Sequence, residues 1–250
     1  MADITIPTPT GDLSAYVAKP AGPGPFPGVV VIHDAFGLGK EIRAQADWLA
    51  DAGYLAIVPD LFRGRSRIAC MVTIMRDARD QTGLTFDDLS AARVWLTQSP
   101  ECTGTVGVIG FCLGGGLALL LAPSGDYAAS SVNYGSASKD AYTAGFLRTS
   151  CPIVGSFGGK DNTLRGAAAR LETALIEVGV DHDVKEYAHA GHAFLNDAKG
   201  AGDPRPLLFA VMGPIMHTGY EPDAAADARG RILAFFGRHL TQGSPAASPQ

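Results

Sequence analysis

Three short runs of apolar residues without polar interruption impose the strongest constraint on the fold of this chain. They are VVVI at 29–32, LAIV at 55–58 and VGVIG at 106–110. A strand that shows no alternation of apolar and polar residues is buried on both faces, as the central strands of parallel sheets are. Between the first two runs, Ile42, Ala46 and Leu49 recur at helical spacing. A strand, a helix and a second strand in this order predict a parallel unit and therefore an α/β fold.

The rest of the chain continues this alternation in one predicted domain. A hairpin is expected around the turn at Gly11 and Asp12. Residues 63–86 are polar and weakly patterned, and they predict only an excursion over the sheet edge. The remaining predicted strands lie at 128–134, 152–157 and 184–187, and the remaining helices at 87–97, 117–122, 164–178 and 223–240. We therefore predict a single-domain, doubly wound, mostly parallel sheet flanked by helices over residues 1–240, followed by a flexible tail at 241–250.

Composition and charge argue against several classes of function. The 250 residues carry a net charge of −5 and no basic cluster, which disfavours a nucleic-acid partner. No apolar stretch approaches the roughly 18 residues of a membrane span, so no membrane partner is expected, and the N-terminal MADITIPTPTGD lacks the apolar core of a signal peptide. The four cysteines have no CxxC spacing and are expected to be free thiols. We expect a cytoplasmic monomer or homodimer.

The strongest local motif is GFCLG at 110–114, which joins a predicted strand directly to a predicted helix. A strand that turns sharply into a helix forces the central residue, Cys112, into a strained backbone conformation. Side chains two positions away on either side would collide, which explains Gly110 and Gly114. The turn exposes the thiol above the sheet, and the N–H of Leu113 at the helix N-terminus can face an oxyanion. Alternatively, Cys112 is simply a buried thiol beside a glycine-rich contact.

Two later residues favour catalysis over that alternative. Asp161 follows the predicted strand at 152–157 and two glycines, and His192 follows the strand at 184–187. Each alone could be an ordinary loop residue. A nucleophile, an acid and a histidine in this order, each near the end of a strand, are what an α/β-hydrolase requires. The histidine would take the proton of the thiol, and the carboxylate would fix the tautomer of the imidazole.

Several segments resemble the dienelactone hydrolase family. They are GFCLGGG at 110–116, GGKD at 158–161, AGHAF at 190–194, VIHDAFGLGKEIR at 31–43 and GYLAIVPDLF at 53–62, and the similarity extends from about residue 12 to 240. The resemblance implies an α/β-hydrolase fold, a triad of Cys112, Asp161 and His192, and an oxyanion hole formed by the backbone amides of Ala35 and Leu113. It also implies hydrolysis of a small ester or lactone without a metal or an organic cofactor.

The sequence departs from the pattern of the best-known members at two positions. Asp34 stands where they have a glutamate that holds the resting thiol, and Asn196 stands where they have an arginine that grips a substrate carboxylate. Arg76 and Arg79 are candidates for a second anchor in a loosely aligned segment. These departures predict a preference for neutral or apolar esters. The further candidates for substrate contact are Tyr134 and Phe209.

Some features leave alternatives open. Residues 198–219 combine prolines with apolar side chains, and they predict either a flap over the site or a segment packed on the domain or a partner. His33 could line the site or make a structural hydrogen bond. His189 and His192 have HxxH spacing but no companion ligand that would indicate a metal. A non-catalytic ligand-binding protein and a thiol redox sensor at Cys112 are the competing functions.

Overall fold

The computed structural model describes residues 1–197 and 215–241, and the strands in these ranges form one eight-stranded sheet. The strands are β1 (Ala2–Thr8), β2 (Gly11–Ala18), β3 (Phe26–Ile32), β4 (Leu55–Pro59), β5 (Cys102–Phe111), β6 (Ser130–Asn133), β7 (Ile153–Gly158) and β8 (His182–Tyr187). Their order across the sheet is β1-β2-β4-β3-β5-β6-β7-β8. The hairpin β1–β2 is antiparallel, and β3 to β8 are parallel to one another. The mostly parallel sheet expected from the apolar runs is confirmed.

The helices flank this sheet. They are α1 (Lys40–Asp51), α2 (Arg67–Asp80), α3 (Leu84–Gln98), α4 (Leu113–Leu121), α5 (Ala144–Leu147), α6 (Ala167–Val178) and α7 (Pro222–Leu240). The chain runs from β3 outward to β4 and then returns past β3 to β5, so the direction of winding reverses. Because parallel crossovers are right-handed, this reversal places α1 on one face and α3 and α4 on the other. The carboxyl ends of β3 and β5 meet at the reversal, where α/β folds place ligands.

Helix α2 was not expected from the sequence, which predicted only an excursion at 63–86. Within α2 the structure buries just Ile74 and Asp77, whereas Ile68, Val72 and Met75 are exposed. Its inward stripe consists of the small or partly buried Cys70, Met71 and Ala78 beside Ile74, and the exposed apolar residues blur the contrast between the two faces, so periodicity did not identify the helix. Helix α3 begins earlier than the predicted residue 87. None of the described helices is both long and apolar enough to cross a membrane.

Candidate active site

The turn between β5 and α4 has the strained geometry that its glycines predict. Cys112 adopts φ 55° and ψ −114°, in a region that non-glycine residues occupy at a cost of about 1–3 kcal/mol. A Cβ atom on Gly110 would lie 1.9 Å from the carbonyl oxygen of Gly114, and one on Gly114 would lie 2.3 Å from that of Ile32. Both positions therefore exclude any side chain. Because Gly114 has no Cβ atom, the first turn of α4 can pack directly against the end of β3.

Asp161 and His192 meet in a direct hydrogen bond although they lie on different loops. Asp161 follows β7, His192 follows β8, and the His192 Nδ1 is 2.5 Å from the Asp161 Oδ2. The other carboxylate oxygen, Oδ1, accepts hydrogen bonds from the Thr163 backbone N–H at 2.9 Å and its hydroxyl at 2.6 Å. Both charged side chains are almost completely buried. The carboxylate is thus held from one side and orients the imidazole on the other.

The electrostatics of this pair favour a protonated imidazole. Burial by itself lowers the pKa of His192, but the hydrogen bond that the imidazole donates to Asp161 and the proximity of Cys112 outweigh it and raise the pKa to about 9. Burial also acts to raise the pKa of Asp161, yet its bonds to His192 and Thr163 lower it below its ordinary value. Nε2 of His192 makes no hydrogen bond of ordinary geometry with any described residue. It is the ring nitrogen that remains for the thiol.

The loop after β3 and the first turn of α4 present the two backbone amides implied by the resemblance. Ala35 lies in that loop and Leu113 opens the helix, and both residues are half-buried. The first N–H groups of a helix lack partners within the helix, and the helix dipole makes this end positive. The packing of Gly114 on the carbonyls of Ile32 and His33 brings the loop and the helix end together.

Asp34 and Asn196 are joined in a buried polar network beside this loop. The Asn196 Nδ2 donates to the Asp34 Oδ2 at 3.2 Å, and the Asn196 Oδ1 accepts from the Tyr134 hydroxyl at 3.1 Å and from Gln45 at 3.5 Å. The other oxygen of Asp34 accepts the Phe36 N–H at 2.8 Å. Burial is the main cause that raises the pKa of Asp34 to about 6. Both ends of the Asn196 amide are therefore committed to protein groups.

Tyr134 packs against the ring of His192. It follows β6, is fully buried and has a φ of 39°. Its ring is 5.1 Å from the His192 ring and 5.6 Å from that of Phe194, measured between centroids. Burial, followed by the charges of Asp34 and Cys112, raises its pKa well above the ordinary value. The phenol is thus a neutral support for the imidazole.

The other candidates for substrate contact lie apart from this cluster. Arg76 and Arg79 project from α2 with 59% and 74% of their side chains exposed, and they pair with the neighbouring Asp77 and Asp80. Within the described residues, no hydrogen bond or ion pair links either arginine to Cys112, Asp161 or His192. Phe209 and most of the predicted flap, residues 198–214, lie outside the described residues. At the end of that segment, the N–H of His192 donates to the carbonyl of Met216 at 2.9 Å.

Sequence reasoning missed three residues of the site. Thr163 could have been found, because a threonine two positions after an aspartate commonly bonds to that carboxylate. Gln45 and Arg229 have no such local signal. They meet only in the fold, where the Arg229 guanidinium donates to the Gln45 Oε1 at 3.5 Å and to the Leu195 carbonyl at 3.3 Å. In the described part of the chain, no group of three or more His, Cys, Asp or Glu side chains is arranged to hold a metal ion.

Comparison with known proteins yields relatives along most of the chain. The model of the dienelactone hydrolase family matches residues 13–240. A protein of Azospirillum brasilense, provisionally named a carboxymethylenebutenolidase, is 30% identical over 249 residues, which cover 96% of this chain and 100% of the relative. The carboxymethylenebutenolidase of Pseudomonas putida is 28% identical over 230 residues, with 88% and 89% covered. A dienelactone hydrolase-like promiscuous phosphotriesterase from metagenomic libraries has the same fold, with a TM-score of 0.77 at 23% identity over 96% of this chain and 98% of that chain.

Proposed function

The chain belongs to the dienelactone hydrolase family, a family of ester and lactone hydrolases, and from that premise we propose that it cleaves small esters or lactones with Cys112 as nucleophile. The observation that carries the proposal is the combination of a cysteine at positive φ in the strand–helix turn with a buried His192–Asp161 pair 2.5 Å apart. A thiol in this setting has both a base and a group that fixes the tautomer of the base.

In the first half of the proposed reaction, His192 Nε2 takes the proton of the Cys112 thiol. The sulfur then forms a bond to the carbonyl carbon of the substrate, and the electron pair of the carbonyl moves to its oxygen. The N–H groups of Ala35 and Leu113 stabilise this oxyanion. When the tetrahedral intermediate collapses, the bond to the leaving oxygen breaks, His192 returns its proton to that oxygen, and a thioester to Cys112 remains.

In the second half, water replaces the alcohol. His192 removes one proton from a water molecule, whose oxygen attacks the thioester carbon and forms a second oxyanion in the same position. The carbon–sulfur bond then breaks, the acid is released, and the proton returns to the sulfur. Asp161 keeps its charge throughout and stabilises the imidazolium in each half. No step consumes a cofactor, because the net reaction adds one water across one ester bond.

We also propose that neutral esters are preferred over esters that carry a carboxylate. The side chain at the position of the family's anchoring arginine is Asn196, and its amide is engaged by Asp34 and Tyr134. Arg229, the cation of the same network, is bound to Gln45 and the Leu195 carbonyl. None of these contacts offers a substrate carboxylate the two parallel hydrogen bonds that an arginine would give it.

The experiment is hydrolysis of a panel of p-nitrophenyl esters and lactones by the wild type, Cys112→Ala and Cys151→Ala. Cys151 is the matched control, because burial raises the pKa of its thiol to about 12, which disfavours the thiolate. We expect activity in the wild type and in Cys151→Ala, and none in folded Cys112→Ala. Ester turnover that survives in Cys112→Ala would contradict the proposal, and a wild type without hydrolysis would favour the ligand-binding or redox alternatives.

The substrate preference is tested by kcat/KM for a carboxylate-bearing dienelactone against a neutral ester of similar size. The neutral ester is expected to be the better substrate. A ratio of about tenfold or more in favour of the dienelactone, the order expected from one charge-assisted hydrogen bond, would mean that another cation binds the carboxylate. Arg76→Gln and Arg79→Gln would then identify it, since each removes the charge of one of the two candidates.

A further inference from the structure

His33 is a fully buried histidine at the end of β3 that the proposed reaction does not use directly. Its Nε2 lies 3.1 Å from the backbone nitrogen of Leu61, and its Nδ1 lies 2.7 Å from the carbonyl oxygen of Asp34. A backbone N–H can only donate, so Nε2 must be the unprotonated acceptor. The proton of the neutral ring is then on Nδ1, which donates to the Asp34 carbonyl. The two contacts together fix the tautomer.

The surroundings of His33 keep this ring neutral and in place. Burial is the main influence on its pKa and lowers it, while Asp34 and Asp60 act in the opposite direction. The ring of Phe62 stands edge-on to it at a centroid distance of 4.9 Å. Because Leu61 and Phe62 follow β4, the histidine ties the end of β3 to the end of the neighbouring strand. The donor at Nδ1 therefore has a fixed position.

The carbonyl that receives this hydrogen bond belongs to the same peptide group as the N–H of Ala35. In a planar trans peptide the C=O and N–H bonds point in opposite directions. The Asp34 oxygen also accepts from the N–H of Gly37 at 3.3 Å, and the Asp34 side chain accepts the N–H of Phe36 at 2.8 Å. In contrast, the Ala35 N–H donates to no residue in the described part of the chain. The peptide is held by its oxygen, and its N–H remains available.

We propose that His33 is a positioning residue that directs the Ala35 N–H toward the substrate oxyanion by holding the Asp34 carbonyl. The proposal deepens the function proposed above and rests on it. A donor bonded to the carbonyl also polarises the peptide and strengthens its N–H as a hydrogen-bond donor. Both hydrogen bonds of the His33 ring go to backbone groups, those of Asp34 and Leu61, and not to Cys112.

The test uses two variants of equal shape, His33→Leu and His33→Asn, in the full-length protein. Leucine and asparagine branch at the same atom, but only asparagine places an N–H donor near the former Nδ1. His182→Leu is the control, because His182 also bonds through Nδ1 to a backbone carbonyl, that of Val180 at 2.7 Å, outside the site. Two rates are measured for each variant: kcat/KM for a neutral p-nitrophenyl ester, and alkylation of Cys112 by iodoacetamide.

The two rates separate an oxyanion effect from damage to the triad. Alkylation needs the thiolate and its imidazolium partner but forms no oxyanion. Loss of one oxyanion donor costs about 10²–10³ in turnover in a serine protease, so misdirection of this donor in His33→Leu should lower kcat/KM by about tenfold to a hundredfold. The fall should lie in kcat more than in KM. Alkylation should stay at the wild-type rate, His33→Asn should recover at least part of the loss, and His182→Leu should resemble the wild type.

Other results overturn the inference without touching the proposed function. Folded His33→Leu with wild-type kcat/KM would do so, and so would a parallel fall in hydrolysis and alkylation, since that would point to the triad. Should His33→Leu fail to fold, His33→Asn decides. It is expected to stay within about tenfold of the wild type, and a folded variant that loses about a hundredfold or more with normal alkylation would overturn the proposal. A wild type whose hydrolysis does not depend on Cys112 would instead remove the proposed function itself.

Discussion

Replacement of Asp161 by asparagine should disable the site through the tautomer of His192, and the structure indicates which way the new amide would turn. Asp161 Oδ1 accepts two hydrogen bonds from Thr163, whereas Oδ2 accepts one from His192. In Asp161→Asn the amide oxygen would take the place that faces the two Thr163 donors. The amide NH₂ would then face the Nδ1 of His192 and force it to accept. The proton of the neutral imidazole would move to Nε2, the nitrogen that must receive the thiol proton.

The magnitude follows from the basicity of the imidazole. The rise in the pKa of His192 from 6.5 to about 9 corresponds to a net stabilisation of the imidazolium by about 3 kcal/mol. Asp161 and Cys112 both contribute, and together they also overcome burial, which acts in the opposite direction. With the carboxylate gone and the tautomer reversed, we expect kcat/KM to fall by about a hundredfold or more. The same substitution in a serine-protease triad costs about 10⁴.

The assay combines ester hydrolysis with alkylation of Cys112 at pH 7 in Asp161→Asn and in Asp181→Asn. Asp181 is the matched control, because its Oδ2 lies 2.9 Å from the Nε2 of His239 in a pair outside the site. Both rates should fall in Asp161→Asn, since thiolate formation and its use depend on the same imidazole, and neither should fall in the control. A loss below about tenfold in correctly folded Asp161→Asn would refute the reasoning and mean that another acid orients His192.

Three further predictions concern the nucleophile, the pH dependence of stability and a helix cap. Cys112→Ser should fold but lose most ester hydrolysis, measured by kcat/KM, because a hydroxyl is far harder to deprotonate than a thiol. The raised pKa of His192 should stabilise the fold fully below pH 6.5 and progressively less as the pH rises through about 9. Urea unfolding of the wild type at several pH values should show this trend, and His192→Gln should lack it. Asp77→Ala should lower the free energy of unfolding by about 1–3 kcal/mol, because the backbone N–H and the hydroxyl of Thr85 at the start of α3 would lose their buried acceptor. An unchanged midpoint of urea unfolding would contradict this prediction.

The sheet was predictable where burial leaves a simple mark on the sequence. Val29 to Ile32 of β3 are completely buried, and a strand covered on both faces has no reason to alternate. The same logic fails for α2, whose outer face mixes the exposed apolar Ile68, Val72 and Met75 with charged residues. The early start of α3 was also unpredictable, because Thr85 is bonded to the Asp77 carboxylate, eight residues earlier on another helix.

The strained turn between β5 and α4 was predictable because the tight turn leaves a local mark on the sequence. A side chain on Gly110 would collide with the carbonyl of Gly114, only four residues later, whereas one on Gly114 would collide with Ile32 of the neighbouring strand β3. The network around Asn196 has no such local origin. Its partners Tyr134 and Asp34 lie 62 and 162 residues away in sequence. The sequence alone indicates only that Asn196 stands where the family resemblance implies an arginine. The structure shows which side chains surround it.

Those neighbours strengthen the argument for a neutral substrate. Burial raises the pKa of Asp34 to about 6, so at pH 7 this carboxyl is still mostly ionised. Its hydrogen-bond donors, Asn196 and the Phe36 backbone, are neutral; Glu41 adds a second negative charge nearby, and His192 is the cation that acts against it. A substrate carboxylate bound close to it would bring two like charges together in a site with little water, where their repulsion is strong. The family resemblance implies an arginine at this position that would attract such a group; we expect the Asp34–Asn196 pair to disfavour it instead, and a neutral ester avoids this repulsion.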